Sequence, residues 1–197
     1  MYNYRSAVGP PDKYDIIGAL QFHVLVEQGL RDRHTLLDVG CGSLRGGRLF
    51  LPYLRSGKYF GIEPNKHLVI DGINEELGGS IWAVKKPTFH YSGAFDLTFF
   101  NTSFDFILAQ SIFSHAAPAM IDTCLSEGKK VLKNTGKFIA TYFVGPSSYT
   151  GSTWAQSPDA RYTEHWMRAR CNNHGFSYSR LEYGHPSGQT WFMMRHQ

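Results

Sequence analysis

Apolar residues recur along this chain in two alternating rhythms. Stretches with helical spacing are separated by short, almost wholly apolar runs. Residues 1–12 are polar and end in Gly9-Pro10-Pro11, which predicts an arm. From Tyr14 to about Gln28, Ile16, Ile17, Leu20 and Val24 share one helical face. Thr35–Val39 reads as a buried parallel strand. Gly40-Cys41-Gly42 then turns the chain into a helix from about Leu44, which Pro52 kinks or ends. Lys58–Ile62 is the second strand, and Asn65 is placed to cap a helix carrying Leu68, Val69, Ile73 and Leu77.

Thr88–Tyr91 and Asp105–Ala109 predict a third and a fourth strand. Pro118 suits the first position of a helix that aligns Ile121, Cys124, Leu125, Val131 and Leu132 and closes at Asn134-Thr135-Gly136. Lys137–Phe143 is a fifth strand. Residues 144–161, rich in Gly, Ser and Pro, form a long loop, and loops of such length usually carry function. Thr163 caps a last helix running to Gly175. Ser177–Tyr183 and Thr190–Arg195 make a closing hairpin around Gly184–Gly188.

Strands alternating with helices predict an α/β fold, a mostly parallel sheet with helices on both faces and an antiparallel end. So many elements in 197 residues leave room for one domain, residues 1–197. Within it, residues 1–30 form an N-terminal arm and lid helix, and residues 144–161 an active-site loop.

Composition changes this picture little. The chain is 42% hydrophobic and 18% charged, as in ordinary globular proteins, and 15% aromatic, which is rich. Its formal net charge of +4 is scattered, without the basic stripe of a nucleic-acid binder. Cys41, Cys124 and Cys171 are widely spaced, and neither a Cys-x-x-Cys nor a His-Glu-x-x-His occurs. Neither a disulfide framework nor a metal site is expected. With no apolar signal core and no long apolar run, a cytoplasmic protein without a membrane partner is the expectation.

The strongest chemical signal is Leu36-Leu37-Asp38-Val39-Gly40-Cys41-Gly42. It is a buried strand ending in an acid, then a glycine turn where a ligand can touch backbone and meet free N–H groups. Glu63 ends the next strand. In open α/β sheets ligands sit outside the carboxyl ends of strands, where an acid accepts hydrogen bonds from ribose hydroxyls.

With DVGCG, Glu63, FDFILAQS and GKFIATYF in this order, the chain resembles the class I S-adenosylmethionine-dependent methyltransferases over roughly residues 14–195. The run Gly40-Cys41-Gly42-Ser43-Leu44-Arg45-Gly46-Gly47-Arg48 is similar to a subgroup of small bacterial methyltransferases. So are Ser111-Ile112-Phe113-Ser114-His115 and His185-Pro186-Ser187-Gly188-Gln189. The resemblance implies a Rossmann-like fold with a seven-stranded sheet whose last strand is antiparallel, and S-adenosylmethionine as cofactor. It implies that Asp38 holds the cofactor amino group and that Gly40, Cys41 and Gly42 run beside its methionine and ribose parts. Glu63 would bind the ribose hydroxyls, with Pro64 and Asn65 near the adenine. Gln110 and Ser111 would lie near the sulfonium and the acceptor.

Two positions depart from the family pattern. Gly93 stands where many members carry an acid for the adenine amino group, so backbone at Ala94–Phe95, or Asp96, would replace it. Leu44 stands where a third close glycine is common. The rival nicotinamide fingerprint, GxGxxG, needs glycine at position 45, where this chain has Arg45. An NAD(P)-dependent oxidoreductase and a non-catalytic nucleotide-binding module are the alternatives.

His115, after the fourth strand, is the candidate base, its imidazole suited to proton transfer near neutrality; positioning of substrate is its other reading. Arg45 is a cation near a helix N-terminus, which the dipole disfavours, so it suggests either a carboxylate partner or a solvated side chain. Tyr14 and Gln21 lie on the leading helix, and Tyr142, Trp154, His185 and Gln189 come from segments expected near the acceptor. No Asp/Asn-Pro-Pro-Tyr occurs. The expected acceptor is therefore a small molecule, a biosynthetic intermediate or a sugar, methylated on oxygen or nitrogen, with carboxyl, hydroxyl and amine all open.

Overall fold

The computed structural model describes residues 4–155 and 159–197, so the first residues of the predicted arm and part of the predicted loop lie outside the described residues. The fold is α/β, with mostly parallel strands, an antiparallel final strand and helices around them. The chain forms two compact units, residues 1–94 and 95–197.

In the first unit, α1 (Tyr14–Glu27) precedes β1 (Leu36–Val39), α2 (Gly47–Tyr53), β2 (Tyr59–Ile62), α3 (Lys66–Glu76), α4 (Ile81–Lys85) and β3 (Thr88–His90). The strands run parallel in the order β3-β2-β1, Leu36 facing Tyr59 and Phe60 facing Thr88. Asn65 caps α3 as expected, its side chain accepting from His67 N. The helix expected from Leu44 begins instead at Gly47. Leu44 holds φ +61°, outside the right-handed helical well, so residues 40–46 remain a turn.

Helices grip this turn at glycines. A Cβ on Gly18 of α1 would fall 2.5 Å from Arg45 O, and one on Gly72 of α3 would fall 2.3 Å from Ser43 O. Only hydrogen side chains let both helices approach so closely.

In the second unit, β4 (Phe104–Ala109), α5 (Pro118–Val131), β5 (Leu132–Val144), β6 (Arg161–Tyr162), α6 (Glu164–Asn173), β7 (Phe176–Leu181) and β8 (Thr190–His196) follow in turn. β4 and β5 are parallel; β8 is antiparallel to both β5 and β7. Pro118 opens α5, and Thr163 caps α6 by accepting from Trp166 N.

Two expectations change here. α5 stops at Val131, and Asn134-Thr135-Gly136 lies within β5. There the partners in β4 jump from Phe104↔Leu132 to Phe106↔Lys137, an irregularity that absorbs the extra residues. The predicted loop also contributes β6, which pairs with the end of β5 and adds a two-residue strand to the seven expected. Phe113, Phe138, Phe176 and Phe192 are buried and form one aromatic core.

Candidate functional site

In the first unit, the ends of β1 and β2 converge on the glycine turn. Gly40 and Gly42 both take left-handed φ, +69° and +54°. Gly40 N and Cys41 N both donate to Ile62 O, at 2.8 and 3.2 Å. Glu63 is 8% exposed; its Oε2 accepts from Gly42 N at 3.1 Å and its Oε1 from Asn65 N at 2.9 Å. Burial raises the Glu63 pKa, opposed by these two backbone N–H groups. The strand-end carboxylate is thus fixed against the turn rather than loose in solvent.

Asp38 is buried, and Tyr59 donates its hydroxyl to Oδ2 at 2.7 Å. Burial pushes its pKa up to about 6, against the Tyr59 hydrogen bond and the charge of Arg45. Tyr59 was not singled out from sequence; it reads there as one more aromatic in an apolar strand.

Arg45 is buried, and burial lowers its pKa to about 10. Its Nη1 donates to Val8 O at 2.6 Å, so the predicted arm lies over the turn, and a Cβ on Gly42 would fall 2.5 Å from Val8 Cγ1. Arg45 therefore does not stand out in solvent; a backbone carbonyl is among its partners. The arm is held as well by Arg5, which pairs with Glu76 at 2.6 Å.

Tyr14 is fully buried and donates to Ser43 O at 2.9 Å, and Gln21 packs its Oε1 against Gly46. Both brace the turn from α1. Cys41 is buried, and its thiol pKa is raised well above the ordinary value. Pro64 and Asn65 are exposed beyond Glu63. A Cβ at Gly93 would meet only Pro64, at 3.7 Å.

In the second unit, Gln110 and Ser111 follow β4. Gln110 is buried, and Ser111 takes the left-handed φ of +60° that L-residues rarely adopt. Around them lies a dense polar cluster. Ser111 N donates to Thr141 Oγ1 at 2.8 Å, Thr141 Oγ1 donates to Gln189 Oε1 at 2.6 Å, and Gln189 Nε2 donates to Ser111 Oγ at 2.7 Å. Gln110 Nε2 lies 2.6 Å from Ser111 Oγ and 3.1 Å from His185 Nε2. Thr141 was missed from sequence, although a threonine inside an apolar strand is a legible signal. His185 and Gln189 also line a cavity of about 330 Å³ over the β7–β8 hairpin, with Arg180, Glu182 and Tyr183.

His115 is partly exposed, with Nδ1 3.4 Å from Asp159 Oδ1. Its segment is held by three bonds: Ala155 N donates to His115 O at 2.7 Å, Ala160 N to Ser114 O at 2.9 Å and Tyr162 Oη to Ala116 O at 2.7 Å. Phe95 is nearly buried, its ring 6.0 Å from that of Trp154, which is exposed. Tyr142 is fully buried in the core, its hydroxyl 3.1 Å from that of Tyr178, and burial raises its pKa well above the phenolic range. The Tyr142 hydroxyl, expected near the acceptor, therefore faces Tyr178 within the core.

Among the described residues, no cluster of His, Cys, Asp and Glu could hold a metal ion, and no helix is long and apolar enough to cross a membrane.

A sequence model of a methyltransferase domain matches residues 37–138, from β1 into β5. The fold is similar to that of PH0226 protein from Pyrococcus horikoshii OT3, at TM-score 0.70 and 14% identity, covering 98% of this chain and 95% of that one. It is also similar to magnesium protoporphyrin IX methyltransferase (ChlM) from Synechocystis PCC 6803 with bound SAM, at TM-score 0.65 and 16% identity, over 93% of this chain and 82% of that one. Streptomyces venezuelae DesVI aligns at TM-score 0.68 and 14% identity, over 94% and 92% of the two chains.

Proposed function

This chain belongs to the methyltransferase domain family, and we propose that it transfers a methyl group from S-adenosylmethionine to oxygen or nitrogen of a small molecule. The observation that carries the reading is the Glu63 carboxylate held between Gly42 N and Asn65 N at the rim of a left-handed glycine turn. A fixed carboxylate beside a glycine turn suits a ribose diol, and neither Gly40 nor Gly42 carries a Cβ; the arm's Val8 lies over Gly42 and would move aside for a ligand there. The residues therefore fit the cofactor. Glu63 would hold the ribose hydroxyls, Asp38 the amino group, Gly40–Gly42 the methionine part, and Pro64, Asn65 and Phe95 the adenine.

S-adenosylmethionine supplies, when bound, a methyl group already activated by its sulfonium; the protein's part is alignment, a dry pocket and a place for the acceptor's proton. Gln110 and Ser111 serve the acceptor side. His115 takes the proton that a hydroxyl or amine acceptor loses. Asp159 beside Nδ1 favours a proton there and leaves Nε2 to act. The cavity lined by His185 and Gln189 receives the acceptor. The neighbours named for methyl transfer, ChlM among them, support this reading at the level of fold.

Calorimetry with S-adenosylhomocysteine against NAD(P) is the test. Heat with the former alone is expected; binding of NAD(P) instead would replace this reading with an oxidoreductase. Transfer of labelled methyl to a metabolite extract then separates an enzyme from a binding module.

A further inference from the structure

The proton positions around Gln110 can be worked out from a donor at its edge that admits no alternative. Ser187 N–H, a backbone group, donates to His185 Nδ1 at 3.1 Å. Nδ1 therefore carries a lone pair, and the proton of the neutral ring sits on Nε2. That Nε2–H faces the Gln110 amide atom 3.1 Å away. An NH₂ group there would set donor against donor.

A second distance points the same way. The same amide atom lies 2.6 Å from Ser111 Oγ, shorter than N–H···O bonds run and well within the range of O–H···O bonds. The oxygen and nitrogen of an amide are told apart by their partners. With oxygen in this place both conflicts vanish, and five donors of the cluster meet acceptors. His185 Nε2–H and Ser111 Oγ–H donate to Gln110 Oε1, Gln189 Nε2–H donates to Ser111 Oγ, Thr141 Oγ1–H to Gln189 Oε1, and Ser111 N–H to Thr141 Oγ1.

We infer that His185 and Gln189 are positioning residues. His185 is a neutral imidazole with its proton on Nε2, donated to Gln110 Oε1, and with Gln189 it holds Ser111 in its left-handed corner. That corner is unfavourable for an L-residue and needs such support. Both ring nitrogens of His185 are engaged within the protein, so it does not compete with His115 as base. Because His185 and Gln189 also line the hairpin cavity, the wall of that cavity and the Ser111 corner form one hydrogen-bonded unit. The corner's service to an acceptor rests on the methyltransferase reading; the proton assignment does not.

The test is nitrogen-15 spectroscopy of the imidazoles in the full chain at neutral pH without ligand, His185 being identified by the signal lost in His185→Gln. A bare Nδ1 and a protonated Nε2 are expected; a protonated Nδ1 overturns the inference. Gln110→Glu keeps an acceptor for both donors, so the same signature is expected there, and its loss counts against the assignment. In His185→Ala, exchange of the Ser111 amide should quicken roughly fivefold or more while amides of Phe106–Ala109 hold their rates. An unchanged Ser111 rate overturns the positioning role. All three measurements use the free chain, so they stand apart from any failure to bind S-adenosylhomocysteine.

Discussion

Glu63 Oε2 accepts the backbone N–H of Gly42 at 3.1 Å, joining the end of β2 to the turn that follows β1. The bond fixes a carboxylate against a glycine turn, and it makes the first prediction specific. Glu63→Ala should weaken S-adenosylhomocysteine binding by about 1.5–3 kcal/mol in calorimetry, through lost charge-assisted bonds. Glu63→Gln should lose nearly as much, because its amide can accept from only one of the two N–H groups that Glu63 now satisfies. Unchanged affinity in both variants would rule out Glu63 as the ribose ligand.

Gly72 tests the packing beneath the turn. A Cβ there would lie 2.3 Å from Ser43 O, a backbone atom that cannot swing aside. Gly72→Ala should lower stability by about 1–3 kcal/mol in urea titration, by forcing α3 off the turn. Gly78→Ala serves as control, since its Cβ would meet nothing within 4 Å although its φ of +78° adds a smaller local strain. Equal losses would show that close approach is not what Gly72 provides.

Asp38 makes stability depend on pH. Its pKa rises on folding from the ordinary 3.8 to about 6, chiefly through burial. The folded state therefore binds the proton more tightly than the unfolded one. The resulting stability is fully present below pH ~4 and is lost as pH rises through ~6, a change of about 3 kcal/mol. Glu63, also raised by burial, acts with the same sign. Asp38→Asn should flatten most of this decline in urea midpoints measured across that window, and an unaltered profile would assign it elsewhere.

His115 separates chemistry from binding. If it takes the acceptor's proton, His115→Ala should lower kcat by about 10²–10⁴-fold while S-adenosylhomocysteine affinity holds. Asp159→Asn should give a smaller loss, because the partner 3.4 Å from Nδ1 no longer favours a proton on that nitrogen as strongly. A rise in KM with steady kcat in both variants would make His115 a positioning group instead.

Local chemistry made much of this protein readable from its sequence. Apolar runs marked β1, β2, β4 and β5, and Asn65, Pro118 and Thr163 marked helix starts, because capping and strand burial depend on a few adjacent residues. The aspartate-glycine turn and Glu63 were legible for the same reason: left-handed φ at Gly40 and Gly42 and a strand-end carboxylate that accepts Gly42 N–H need those residue types at those places.

Tertiary structure decided what no local pattern encodes. Leu44 and Ser111 take left-handed φ, conformations disfavoured for any L-residue taken alone, so their surroundings must impose them. Thr141 meets Ser111 and Gln189 from 30 and 48 residues away, and Asp159 reaches His115 where Ala155 and Ala160 bond back to residues 114 and 115. Tyr142 and Trp154 read alike as aromatics beside an active-site loop. Trp154 stayed on the surface, while Tyr142 became core in β5, where it pairs with Thr190 of β8, and that pairing is a property of distant segments meeting rather than of either segment by itself.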